Sequence, residues 1–130
     1  FQDAINMEIF IVGTYNTSQV VSLDYAWENC SLLTSFPFID THSISSFRST
    51  WKGCSGLTSF PTVNTSIAED LNSTWMNCSS LESLAMIDTG FCRFFTSTWE
   101  GCSSLVNFPA IDTGEGMDFN STWKDCSGLE

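Results

Sequence analysis

Five of the six cysteines of this 130-residue chain recur at a fixed spacing of 24 residues, whereas Cys92 lies outside the series. If successive members lie one above another on paired segments, their Cα atoms are about 5 Å apart, a distance that suits a disulfide. The alternative, which we favour, is a buried row of free thiols that pack as small hydrophobic side chains. The five regularly spaced residues are Cys30, Cys54, Cys78, Cys102 and Cys126.

A metal site has little support from these cysteines. Zinc takes four convergent ligands, usually with short spacings such as C-x2-C, and the sequence contains no such spacing. We therefore expect neither a metal nor another cofactor.

An Asp or Asn followed by Thr recurs with the same period, at Asp40, Asn64, Asp88 and Asp112. A row of carboxylates could hold calcium, but calcium-binding repeats bring several acidic residues in each turn. We predict instead that each Asp or Asn caps a backbone turn and that each following Thr hydrogen-bonds along the row.

Residues suited to catalysis are scarce. The only histidine, His42, lies in a predicted turn, and no motif places a base beside a Ser or Cys nucleophile. Glu115 and Asp118 are candidates for an acid pair, but carboxylates on a solvated loop need no catalytic role. We expect that the chain is not an enzyme, and we assign no catalytic residue.

Six asparagines lie in N-x-[ST] sequences, which are acceptors for N-linked glycans when the host glycosylates asparagine and the site faces solvent. Chance is an alternative explanation, because the chain is rich in Ser and Thr. The candidate glycosylation sites are Asn16, Asn29, Asn64, Asn72, Asn77 and Asn120.

All of these residues belong to a 24-residue repeat that runs without insertions and is marked by five tryptophans. A fixed period of this length is typical of a solenoid, in which each repeat is one coil placed on the last. Identical side chains then form ladders of tryptophan and of cysteine. The tryptophans are Trp27, Trp51, Trp75, Trp99 and Trp123.

Two local patterns alternate within each repeat. Phe47, Trp51 and Cys54 are spaced i, i+4, i+7, which predicts one face of a short helix. The stretch 57–62 has the L-x-x-L-x-L form of a short strand, with its last apolar slot at Phe38 and Met86 in neighbouring repeats. We predict an α/β solenoid, a right-handed stack of about five coils like a leucine-rich repeat, with a mostly β coil as the alternative. Residues 1–20 are predicted to be a degenerate N-terminal cap, and residues 21–130 the repeat solenoid.

The charge balance limits the partners. The chain carries 15 acidic and 4 basic residues, a net charge of −11. Such a surface repels nucleic-acid phosphates and anionic membranes. We therefore expect no nucleic-acid partner. No apolar run is long enough for a membrane-spanning helix, so we also expect no membrane insertion.

The repeat pattern T-W-x-x-C-S-x-L-x-x-F-P-x-I-D-T resembles the BspA-like class of leucine-rich repeats found in microbial surface proteins. The resemblance implies a secreted or surface-displayed protein, often an adhesin, or a part of a phage tail fibre. Trp in the aromatic position and Pro61 in the strand depart from the usual pattern of the class. In one repeat the matching residues are Phe47, Trp51, Cys54, Leu57, Phe60, Val63, Asn64, Thr65 and Ser66.

We predict an extracellular repeat protein, on a cell or virion surface, that mediates adhesion or binds a protein receptor or glycan. The alternative is a structural subunit of an extracellular filament, in which copies of the chain continue the stack end to end. Repeat proteins bind through variable positions on a constant frame. The predicted recognition surface comprises Ser43, Ile44, Ser45, Ile67, Glu69, Asp70, Phe91, Arg93, Glu115, Met117 and Asp118.

Overall fold

A computed structural model describes residues 17–129 of the chain. This part contains no helix, and its β-pairing is limited to isolated parallel bridges between residues 24 positions apart. One series of bridges runs Ser22↔Ser46, Ser46↔Asp70, Asp70↔Phe94 and Phe94↔Asp118, and a second runs Ser59↔Ser83 and Ser83↔Asn107. Each repeat therefore lies parallel to the next, in the register set by the repeat length. None of the described segments is a helix long and apolar enough to cross a membrane.

The predicted fold class, an α/β or mostly β solenoid of leucine-rich-repeat type, is wrong, because residues 17–129 form no helix, no extended strand and no sheet. The predicted helix through Trp51 fails because Ser49 and Gly53 have left-handed backbone conformations, with φ of 52° and 74°. A right-handed helix does not accommodate such residues. The predicted strand over 57–62 is reduced to the single bridge residue Ser59, and Pro61 offers no amide to extend the pairing.

Instead of a helix, each repeat has a six-residue run of turns around its tryptophan. The backbone amides in this run alternate between two kinds of acceptor. Thr50 donates three residues back to the carbonyl of Phe47 (3.1 Å), whereas Trp51 donates to the carbonyl of Thr74 in the next repeat (3.0 Å). The amides are thus satisfied without helix or sheet, as burial requires. The runs cover residues 24–29, 48–53, 72–77, 96–101 and 120–125.

Left-handed residues recur at two fixed positions in every run, one two residues before the tryptophan and one two residues after it. The first position is Ser in four repeats, a residue for which this conformation costs about 1–2 kcal/mol. The hydrogen bond that it permits, such as Ser49 to the carbonyl of Asn72 (2.9 Å), offsets part of that cost. The residues with positive φ are Tyr25, Asn29, Ser49, Gly53, Ser73, Asn77, Ser97, Gly101, Ser121 and Asp125.

The core is a set of parallel rows of like side chains. Trp51, Trp75 and Trp99 are fully buried, and rows of Cys and Leu lie with them in one hydrophobic cluster. Within the described residues, the Nε1 atoms of these three tryptophans have no hydrogen-bond partner. An unpaired buried donor costs about 1–3 kcal/mol, so ring packing has to outweigh this cost at each of the three positions.

Buried threonines just before each tryptophan tie neighbouring repeats together. The hydroxyl of Thr74 lies 2.9 Å from the carbonyl of Phe47 in the preceding repeat and 2.8 Å from that of Leu71 in its own. Thr98 repeats this arrangement with Leu71 (2.9 Å) and Phe95 (2.7 Å). The hydroxyl row thus links each turn run to the one before it.

The predicted N-terminal cap over residues 1–20 lies outside the described residues as far as position 16. It stays a prediction, together with the domain boundary drawn at residue 20.

Candidate functional site

The predicted recognition surface is only partly at the surface. Ile44 is buried in the core, in a row with Ala68 and Cys92. Ser43, Ser45 and Asp70 are half-buried, and Asp70 forms an ion pair with Arg48 (2.7 Å). The seven predicted residues that are exposed are Ile67, Glu69, Phe91, Arg93, Glu115, Met117 and Asp118.

The turn-capping role predicted for the Asp and Asn row is confirmed. The Oδ1 atom of Asn64 accepts the amide of Ser66 (3.0 Å), and that of Asp88 accepts the amide of Gly90 (3.0 Å). The threonine row also bonds along the repeats, because the hydroxyl of Thr41 donates to the carbonyl of Asn64 (2.8 Å). One carboxylate oxygen of each Asp in this row is therefore used by its own turn.

The cysteines are free thiols, the arrangement that the sequence favours over disulfides, and all six are buried. Cys78 donates its S–H to the carbonyl of Trp51 (3.2 Å), and Cys102 donates to that of Trp75 (3.1 Å). Burial raises the pKa of the Cys54 and Cys102 thiols to about 12, and it raises the pKa of Cys78 well above its ordinary value. These thiols are protonated at neutral pH and are poor nucleophiles.

The residues considered for catalysis do not converge. His42 contacts Asp40 (2.8 Å) at the surface, and this contact lowers the pKa of the Asp40 carboxyl. Asp118 accepts the amide of Asn120 (2.9 Å), as a turn-capping residue does. Within residues 17–129, no three His, Cys, Asp or Glu side chains lie close enough to hold a metal ion. The absence of enzymatic activity stays a prediction.

The candidate glycosylation sites differ in accessibility. Asn29, Asn64, Asn77 and Asn120 are exposed, and Asn16 lies outside the described residues. Asn72 is half-buried, and its Oδ1 atom accepts the amide of Thr96 (2.8 Å). Glycosylation itself stays a prediction.

A groove that the sequence did not indicate lies beside the Asp and Asn row. Phe38 and Met86, which the sequence assigns to the last position of a predicted strand, are 70% and 74% exposed. They line a space of about 630 Å³ together with Asp40 and Asp88, which follow them by two residues in the chain. We call it the Phe38–Asp88 groove. It is lined by Phe38, Asp40, Thr62, Val63, Asn64, Thr65, Ser66, Met86, Ile87 and Asp88.

One sequence signal could have revealed this groove. Thr62 occupies the position that holds Phe38 and Met86 in the adjacent repeats, and a polar residue in an otherwise apolar row is typical of a solvent-facing position. The row of five regularly spaced cysteines, which is buried, holds the same residue type in each repeat.

Basic side chains of the chain are engaged away from the groove. Three of the four Lys and Arg form ion pairs with acidic residues that do not line it, and the fourth, Arg93, is not among the lining residues. The ion pairs are Arg48–Asp70 (2.7 Å), Lys52–Glu28 (3.0 Å) and Lys124–Glu100 (2.8 Å). The groove is thus an acidic, partly apolar surface with only His42 as a neighbouring titratable base. Comparison of the chain with protein-family models, curated proteins and solved structures finds no match.

Proposed function

We propose that the chain is an extracellular binding module, displayed on a cell or virion surface, which holds a protein or glycan of another surface. The observation that carries this proposal is the contrast between the core and the surface. The Trp, Cys and Leu rows hold the same residue in each of the five tryptophan-containing repeats and are buried except at Trp123 and Leu129, whereas neighbouring repeats expose different side chains at equivalent positions. Such a division of roles is typical of repeat proteins that bind through an extended face.

Exposed apolar side chains support a binding role. Phe91 and Met117 are 67% and 73% exposed, and Ile67 is exposed in the same repeat position as Phe91. Large apolar side chains grouped on a surface and rimmed by polar residues are typical of interaction sites. Arg93 and Glu69 are exposed polar residues at the position two residues beyond that of Phe91 and Ile67, a position that Met117 also occupies.

The charge of the chain narrows the class of partner. A net charge of −11 disfavours nucleic acids and anionic membranes. Proteins and glycans remain as partners, and aromatic side chains such as Phe91 suit both. A surface location also agrees with the BspA-like pattern of the sequence.

The test is a screen of the purified protein against a glycan array and against intact cells. The double variant Phe91→Ser/Met117→Ser removes the exposed apolar side chains, and Val106→Ser is a matched control because Val106 is an exposed apolar residue outside the predicted surface. We expect binding that is lost in the double variant and kept in the control. No binding to either target, or binding that the double variant retains, would contradict the proposal. Long uniform threads in negative-stain images would instead favour the filament subunit.

A further inference from the structure

We propose that the Phe38–Asp88 groove binds an arginine or lysine side chain presented by a protein partner. This inference rests on the proposed function, since it names the chemistry of the partner. Phe91 and Met117 are not among the residues that line the groove.

The shape of the groove comes from one small residue between two large ones. Phe38, Thr62 and Met86 occupy the same position in three consecutive repeats. Bridged repeats, as at Ser59↔Ser83, lie about 4.8 Å apart, so Phe38 and Met86, two repeats from each other, are attached about 10 Å apart. An aliphatic stem placed over Thr62 then contacts carbon atoms about 4 Å away on both sides. The gap above Thr62, between Phe38 and Met86, therefore matches the stem of a long, unbranched side chain. We call this gap the notch.

Two of the residues that line the groove, Asp40 and Asp88, supply negative charge. Asp40 and Asp88 are exposed, and each uses its Oδ1 atom to cap its own turn. A carboxylate has a second oxygen that accepts further hydrogen bonds. A guanidinium or ammonium group at the end of the stem would reach these oxygens, and the face of the Phe38 ring also attracts a cation.

Charge complementarity favours a cationic occupant over a neutral one. The lining residues include two carboxylates and no Lys or Arg, in a chain of net charge −11. A field of this sign raises the local concentration of basic partners and speeds their association. A glycan would use the same aromatic ring and polar groups without gaining from this field, so a glycan is the competing outcome of the test.

The experiment is an NMR titration of the ¹⁵N-labelled full chain with the peptide Ac-Gly-Arg-Gly-amide. The matched peptide with citrulline in place of arginine keeps the shape of the side chain and removes its charge. Thr62→Met fills the notch with a residue that Met86 shows to be accommodated at that position. Asp88→Asn removes one charge, and Asp112→Asn is its control, because Asp112 caps an equivalent turn (2.8 Å to the amide of Gly114) without lining the groove.

We expect the arginine peptide to shift the amide signals of residues 62–66 and to bind about tenfold more tightly than the citrulline peptide. Thr62→Met should abolish these shifts. Asp88→Asn should weaken binding about fivefold, and Asp112→Asn should leave it unchanged.

Equal binding of the two peptides, or shifts that survive Thr62→Met, would overturn the inference. The result is separable from that of the binding screen. Glycan or cell binding together with no response to arginine leaves the proposed function standing and removes the inference. Glycan binding that is lost in Thr62→Met assigns the groove to a sugar and also overturns it.

Discussion

The indole rings of Trp51 and Trp75 stack with their centroids 5.7 Å apart and their planes 15° from parallel, although 24 residues separate them in the chain. Trp75 stacks in the same way on Trp99, at 5.8 Å and 3°. Phe60 adds an edge-on contact to Trp51 at 4.5 Å. Aromatic contacts of this kind contribute about 0.5–1.5 kcal/mol each beyond the area that they bury. The tryptophan row is therefore one of the contacts that hold neighbouring repeats together.

Trp75→Ala should lower the free energy of unfolding by about 3–5 kcal/mol, because it leaves a cavity between two stacked rings. Trp123→Ala is the matched comparison. Trp123 also stacks on Trp99, with ring centroids 5.8 Å apart, but it is 37% exposed. We expect a smaller loss for Trp123→Ala. Urea denaturation followed by circular dichroism measures both values, and an equal or smaller loss for Trp75→Ala would contradict the assignment.

Gly101→Ala should destabilise the protein by about 2 kcal/mol. Gly101 has a φ of 75°, a conformation that costs a residue with a Cβ about 1–2 kcal/mol, and that Cβ would overlap the Oδ1 atom of Asn77. Adding Asn77→Gly removes the overlap and keeps the backbone cost at position 101, so the double variant should recover part of the loss relative to Asn77→Gly alone, the reference that is needed because Asn77 itself has a φ of 61°. Thermal unfolding of the single and double variants measures the two contributions.

The control for this prediction is Gly90→Ala. A Cβ on Gly90 would meet only carboxylate oxygens, the nearest being Oδ1 of Asp88 at 3.4 Å. Its free energy of unfolding should stay within about 0.5 kcal/mol of the parent, as for ordinary surface positions. If Gly90→Ala and Gly101→Ala were equally destabilising, the left-handed conformation of Gly101 would not be the cause of the loss of stability in Gly101→Ala.

Alkaline pH should destabilise the protein through its buried thiols. The pKa of Cys54 and Cys102 is about 12 in the folded chain, against an ordinary value of 9.0. Because the folded pKa is the higher one, the thiol contribution is complete below about pH 9 and is lost as the pH rises toward 12. Each such thiol lowers the free energy of unfolding by up to about 1.4 kcal/mol per pH unit in this window.

Urea midpoints measured from pH 7 to pH 10.5 test this dependence. Cys54→Ala removes one of the thiols and should make the decline above pH 9 less steep, by the equivalent of about one proton. A decline of the same slope in Cys54→Ala would show that other groups cause the alkaline loss.

The native thiols should resist a chromogenic disulfide reagent at pH 8 for as long as the protein stays folded. Reaction needs an accessible thiolate, and the described cysteines are buried with raised pKa values at Cys54, Cys78 and Cys102. Cys126, the most exposed at 8%, should react first. All six should react after unfolding in guanidinium chloride. Rapid reaction of several thiols in the native protein would contradict the buried row.

The positions that lie over one another follow from the sequence alone. Because the five tryptophans are evenly spaced with no insertion, residues 24 apart share one environment, and the bridges and ring stacks join such residues. The use of Asp and Thr to cap turns and to bond along the row was also predictable, since these side chains bond to nearby backbone groups wherever they recur at turns.

The backbone conformation was not predictable from the same pattern. The spacing of Phe47, Trp51 and Cys54 places three side chains on one side of the chain, and a short helix and a run of turns both satisfy it. The hydrogen-bond acceptor of the Trp51 amide distinguishes the two conformations. This amide donates to the carbonyl of Thr74 in the next repeat and not to a carbonyl four residues back. That bond depends on the neighbouring repeat, so no local pattern encodes it.

The candidate groove was decided by tertiary structure for the same reason. Phe38 and Met86 have the hydrophobicity of core residues, and the strand pattern alone does not tell whether their position is covered. The structure exposes both and leaves Thr62 between them. A row of side chains becomes a core or a surface according to what covers it. The sequence alone determined which residues share a row, whereas folding of the whole repeat determined whether that row is covered.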